Sequence, residues 1–319
     1  MGQSEYMEMI NLMLPLMRGI QNITRLALSG FAINLLNLPF DNLAHLDLDY
    51  MGYFDGDELR GTGEEHLYRQ YPNLKSLVFQ NYESEMADEN PDQPLPESFI
   101  RPESLIQILG CTNITSFRFE VQEDETIDFY DLNYSFDYII EGLELAKDSL
   151  EEIQLDCVYH FSCEKLNQFG LATTFTHFSR LRKLYVIQSV LLPPGYAEKS
   201  DPIDLSAILP KTLESLTIVS PDEAIILWMR NLQQSLPYLS SLKKIILSCS
   251  NFLGLPASWF FDFTPVWAFQ ALESAGITVD IVQREPRCPW VDDDLSLPNF
   301  WVAPWSDGDW RSMVLGSDF

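Results

Sequence analysis

A few constellations in this sequence carry residue types that could do chemistry. Asp47-x-Asp49-x-Met51-Gly52, with Asp55 and Glu58 following, imitates a calcium loop, with Gly at the turn position and Glu at the closing position. Met51 stands where such a loop wants an oxygen ligand, and Asp47 and Asp49 belong to a strand pattern rather than a helix end. Cys157, His160 and Cys163 place three soft ligands at C-x-x-H-x-x-C, whereas a structural zinc site takes four. Cys157 lies just past a strand pattern and Cys249 takes the same place in a later one, which reads as small buried side chains at a strand-to-loop turn. Gly61-x-Gly63 has no phosphate loop around it. His45, His66, His160 and His177 have no evident Ser, Cys and acid partners. Neither a Gly-x-Ser-x-Gly elbow nor a His-Glu-x-x-His helix appears. The expectation is a chain that is not an enzyme, with no catalytic residue, no metal and no cofactor.

The elements that would position any site follow one returning pattern. An apolar residue is followed three places on by a second, and two further on by a third. The frame occurs at Ile23/Leu26/Leu28, Leu43/Leu46/Leu48, Leu74/Leu77/Phe79 and Ile114/Phe117/Phe119. It returns at Leu150/Ile153/Leu155, Leu181/Leu184/Val186, Leu213/Leu216/Ile218 and Leu242/Ile245/Leu247. Its last two positions share one face of a β-strand. Between the frames lie helical patterns, at Glu64–Tyr71, Glu103–Leu109, Ser135–Lys147, Glu164–Phe178, Leu205–Leu209, Asp222–Leu236 and Pro265–Ala275. Ile277–Val282 reads as the last strand. Parallel strands need such crossovers. A doubly wound α/β sheet shows the same alternation, but the fixed strand frame and the lack of a glycine-rich βα turn speak against it. The expected fold is α/β: a leucine-rich-repeat solenoid of about eight to nine irregular repeats, with a curved parallel sheet inside and helices outside.

From Asn22 to Val282 the chain resembles the repeat half of a fungal F-box/leucine-rich-repeat protein. The resemblance rests on the repeated frame; no F-box is recognisable, and only Leu14-Pro15-Leu16 is similar to its Leu-Pro start. It implies a concave face that holds a protein partner or substrate. Its alternative form is a partial or divergent substrate adaptor of an SCF-type ubiquitin ligase, joined through the Skp1 subunit.

Composition narrows the partners. A formal charge of −27 leaves no clustered cations for nucleic acid and disfavours an anionic membrane. Five scattered cysteines do not form a disulfide framework, and no basic region precedes the apolar residues near the N-terminus, so an intracellular protein, cytoplasmic or nuclear, is expected. Acidic runs at Glu83–Glu97 and Glu120–Asp131 read as solvated surface or as contacts for a basic partner.

On each strand the residues between and just after the core positions should face away from the helices and form ladders. Asp47, Arg118, Gln154, Tyr185 and Ile246 stand in one ladder, and Asp49, Glu120, Asp156, Ile187 and Val219 in the next. Together these are the expected protein-binding residues, polar on the early strands and apolar on the late ones. Residues 1–21 read as a capping helix, 22–283 as the repeat domain, and 284–319 as a Trp/Pro-rich tail docked on the last repeats.

Overall fold

The computed structural model describes residues 23–29, 40–49, 71, 73–82, 112–122, 136–158, 174–192, 204–250, 255–263, 266–284 and 301–302. Its strands are β1 (Arg25–Ser29), β2 (His45–Asp49), β3 (Ser76–Tyr82), β4 (Ser116–Gln122) and β5 (Glu152–Val158). They continue with β6 (Lys183–Ile187), β7 (Ser215–Val219), β8 (Lys244–Ser250), β9 (Thr278–Arg284) and β10 (Trp301–Val302). All lie in one sheet in chain order. Strands β1 to β9 are parallel, and β10 adds antiparallel to β9.

The register follows the sequence frame. Leu26, Leu46, Leu77, Phe117, Ile153, Leu184, Leu216, Ile245 and Val279 pair strand to strand as one row. From Leu46 onward every member of that row is buried, while Leu26 at the first strand is half-buried. The parallel row of Leu28, Leu48, Phe79, Phe119, Leu155, Val186, Ile218, Leu247 and Ile281 is buried throughout. A slip of one residue would turn both rows to the opposite face, so the apolar pattern pins the register.

The turn into each strand repeats as well. Both N–H groups that follow the first frame position donate to one carbonyl of the preceding repeat. Ala44 and His45 donate to Thr24, Lys75 and Ser76 to Ala44, and the scheme continues to Lys243 and Lys244 donating to Glu214. The polar backbone of each turn is thereby satisfied by its neighbour.

The helices are α1 (Phe136–Leu143), α2 (Gln188–Leu191), α3 (Ala224–Ser235), α4 (Ala257–Phe263) and α5 (Val266–Ser274). Helix α1 places Phe136 edge-on to Phe119 at 6.2 Å, so it covers the apolar face of β4. Helix α3 buries Ile225, Trp228, Met229 and Leu232, one stripe at helical spacing.

Several sequence expectations change here. In the described part of the expected helix Ser135–Lys147, Phe136–Leu143 is α-helical and Glu144–Ala146 tightens into a 3-10 turn. Leu205–Ala207 is likewise a 3-10 turn, with Asp204 capping Ser206. Residues 174–178 at the end of the expected helix Glu164–Phe178 are turn and coil instead, because Thr174 turns on itself to accept from Thr176 N–H and its hydroxyl donates to Ala207. Helices α2 and α4 were not expected, being too short to show a period. The capping helix at 1–21, the helices at 64–70 and 103–109, residues 164–173 of the expected helix Glu164–Phe178, both acidic runs except Glu120, the Asp55/Glu58 end of the calcium-like pattern, His160 and Cys163, and the tail 284–319 apart from Arg284 and Trp301–Val302 lie outside the described residues.

Candidate functional site on the helix-free face

The residues between the two apolar rows point away from the face on which α1 packs, to a face that carries no helix among the described residues. Ala27, Asp47, Val78, Arg118, Gln154, Tyr185, Thr217, Ile246 and Asp280 pair in register across nine strands. From Asp47 to Asp280 every member is half-buried, neither sealed nor fully open. Polar, aromatic and aliphatic groups alternate along this row.

The next row differs from expectation. Glu120 is 2 % exposed, Asp156 1 %, Ile187 1 % and Val219 2 %, so these four do not form an open contact surface. The backbone of Asp49 keeps its place in the row, paired with Ser29 and Gln80. Two of the buried four are carboxylates, and burying a charge demands a partner.

Those partners converge on the middle of the sheet. Arg118 forms an ion pair with Glu120 on the same strand. Arg284, the last residue of β9, donates from Nη1 to Asp156 Oδ1 at 2.8 Å. Its Nη1 also lies 3.4 Å from the Tyr185 hydroxyl, which donates to Asp156 Oδ2 at 3.2 Å. Asp156 therefore uses both oxygens, one for a guanidinium and one for a phenol. Burial, reinforced by the Asp156 carboxylate, pushes the Tyr185 hydroxyl far above the ordinary tyrosine range, so it stays a donor. Burial, the largest single influence, works against the charge on Arg284, but Asp156, Tyr185 and Glu120 together outweigh it, and the guanidinium remains charged. Tyr185 therefore keeps its proton and Arg284 its charge at physiological pH.

Arg284 was assigned by the sequence to the tail, just past the expected strand Ile277–Val282. Strand β9 runs two residues further. Arg284 has the same parity as Asp280 and Val282, so extending the alternation by one step would have placed it on this face.

Two glutamines do a different job at the C-terminal ends of the strands. Gln188 accepts from Asp222 N–H and donates to the Asp222 side chain, whose oxygen in turn accepts from Ala224 N–H at the start of α3. Gln283 accepts from Ala257 N–H at the start of α4. Each side chain anchors the backbone where a helix begins. Cys249 is buried, its thiol pushed up to about 12 by that burial, so it is a packing residue and no nucleophile. No group of three or more His, Cys, Asp or Glu among the described residues could hold a metal ion.

Comparison of the chain with protein-family models, with curated proteins and with solved structures gives no match. Among the described residues no helix is long and apolar enough to cross a membrane.

Proposed function

We propose that this chain is a non-catalytic protein-binding module: a leucine-rich-repeat solenoid that holds a protein partner on its helix-free face, as the substrate-recognition half of an F-box protein does. The observation that carries the reading is the half-buried row from Asp47 to Asp280. It offers one side chain per strand at a spacing of about 4.8 Å. A long, regular row suits an extended partner better than a small molecule, which would need a closed pocket. Arg118, Tyr185 and Ile246 are residue types that supply interface energy or apolar contact, and Gln154 and Thr217 can hydrogen-bond without the desolvation cost of a full charge. The charge of −27 opposes nucleic acid as the occupant.

The test is paired capture from a native extract with the full chain as bait. Wild type, the row variant Gln154→Lys/Ile246→Asp, and the control Leu145→Asp at an exposed position away from the row are compared by quantitative mass spectrometry. The reading expects a partner kept by wild type and control and lost by the row variant. Capture that ignores the row substitutions would sink it.

A further inference from the structure

The ion pair between Arg284 and Asp156 joins residues that should be far apart. Asp156 sits on β5 and Arg284 on β9, four strand spacings away. In a flat sheet that is about 19 Å, far more than one arginine side chain crosses. The pair therefore exists only because the sheet bends toward its helix-free face over β5 to β9. The contact spans the place where the sheet is least continuous. β4 and β5 pair from Ser116↔Glu152 to Gln122↔Val158, the full length of both strands. The pairing of β5 with β6 stops at Gln154↔Tyr185, among the described residues, although β5 runs on to Val158 and β6 to Ile187. Asp156 lies on one side of this seam and Tyr185 on the other, and Arg284 reaches both. Beyond the seam, β6 to β9 pair continuously through Ile187↔Val219 and Ser248↔Val282.

We propose that Arg284, Asp156 and Tyr185 form a clamp that locks two halves of the sheet, β1–β5 and β6–β9, across the short seam between β5 and β6. The β3–β4 ladder inside the first half carries a register shift between Phe79 and Tyr82 but resumes at Tyr82↔Val121, whereas the seam, ending at Gln154↔Tyr185, has the shortest register of the parallel pairs. The clamp supplies, past the end of the paired stretch, bonds that the seam lacks. With the clamp closed, the row from Arg118 to Ile246 has one fixed curvature; with it open, the two halves of that row would change their angle. That the clamp thereby sets the shape offered to a partner rests on the proposed use of this face, but the clamp itself can be tested without any partner.

The experiment is hydrogen–deuterium exchange, read by mass spectrometry on the free full-length chain, for wild type, Arg284→Ala and Arg284→Lys. Lysine keeps the charge but carries it on a compact ammonium, without the guanidinium Nη1 that meets both Asp156 and Tyr185. Release of the clamp should speed exchange roughly tenfold or more in Glu152–Val158 and Lys183–Ile187. Exchange in β2 (His45–Asp49) and β8 (Lys244–Ser250), each inside one half, should stay at the wild-type rate. If Arg284→Ala does not fold, the same comparison is made on Arg284→Lys. An unchanged seam, or a rise spread evenly over β2, β5, β6 and β8, would overturn the clamp. Partner capture by Arg284→Lys is scored separately, so a failed clamp and a failed binding face remain distinct results.

Discussion

Glu214 sits in the turn before β7 and takes two cations from the turns on either side. Arg182 donates at 2.7 Å and Lys243 at 3.1 Å. Hydrogen bonds from Arg182 and then Lys243 hold the Glu214 carboxyl below its ordinary value of 4.5. A carboxylate depressed in the folded chain contributes stability above its unfolded pKa, and that contribution is lost as pH falls through the lower, folded value. The expected result is a Glu214 titration midpoint below 4.5 by carboxyl-carbon NMR, moving back toward 4.5 in Lys243→Met. The triad is exposed, so its stabilising effect is small and screened by salt. At this scale the sequence shows which residues share a row but not their exposure. Asp47 and Gln154 are half-open as expected, whereas Asp156 two places after Gln154 is sealed. Both have the parity of surface groups, but Asp156 stands in the row that is buried along with Glu120, Ile187 and Val219, and Arg284 pairs with it there.

Gly276 shows what one backbone angle does for an element. It links α5 to β9 with φ at 84°, the left-handed region, where an added Cβ would meet nothing within 4 Å. Gly276 N–H donates to Glu273 O and Ile277 N–H to Leu272 O, closing the end of α5 before the strand begins. Gly276→Ala should therefore cost about 1–2 kcal/mol from backbone conformation alone, with no steric contribution. The urea midpoint should fall with an unchanged slope, and Gly276→Asn should fall less, since Asn tolerates this region. A loss much larger than this, or none, would show that the turn is held by something other than its φ. Helices α1, α3 and α5 were legible because an apolar stripe recurs over at least two turns. Their ends were less so. The Asp222–Leu236 pattern shortens to Ala224–Ser235 because Asp222 turns before the helix, its side chain accepting from Ala224 N–H, and Leu205–Leu209 shortens to the single turn Leu205–Ala207 capped by Asp204.

Across the whole molecule, strands meet their sequence neighbours, so damage should spread along the sheet. Leu184 on β6 is 1 % exposed and lies between Ile153 and Leu216 in the central row. Leu184→Ala should cost about 2–5 kcal/mol, while Leu184→Met, which keeps the volume, should cost less than about 1.5 kcal/mol. Amide exchange should rise first in β5, β6 and β7, and least in β1 and β2. Equal loosening of all strands would mean that the sheet unfolds as one unit rather than repeat by repeat. The order and register of the nine parallel strands were determined by the sequence alone. Two apolar positions per strand, recurring at the same offset, select the register that buries them all from β2 onward, and a slip of one residue would turn them to the other face. The sequence also assigned a face to each residue, because strand alternation has a fixed period. Which residues on that face stay open was decided only by the tertiary structure. A period says toward which side a side chain points; it does not say how far the sheet bends or where a ladder stops. The meeting of Arg284 with Asp156 depends on bend accumulated over four strands and on the break after Gln154↔Tyr185, and neither is a property of any local stretch of sequence.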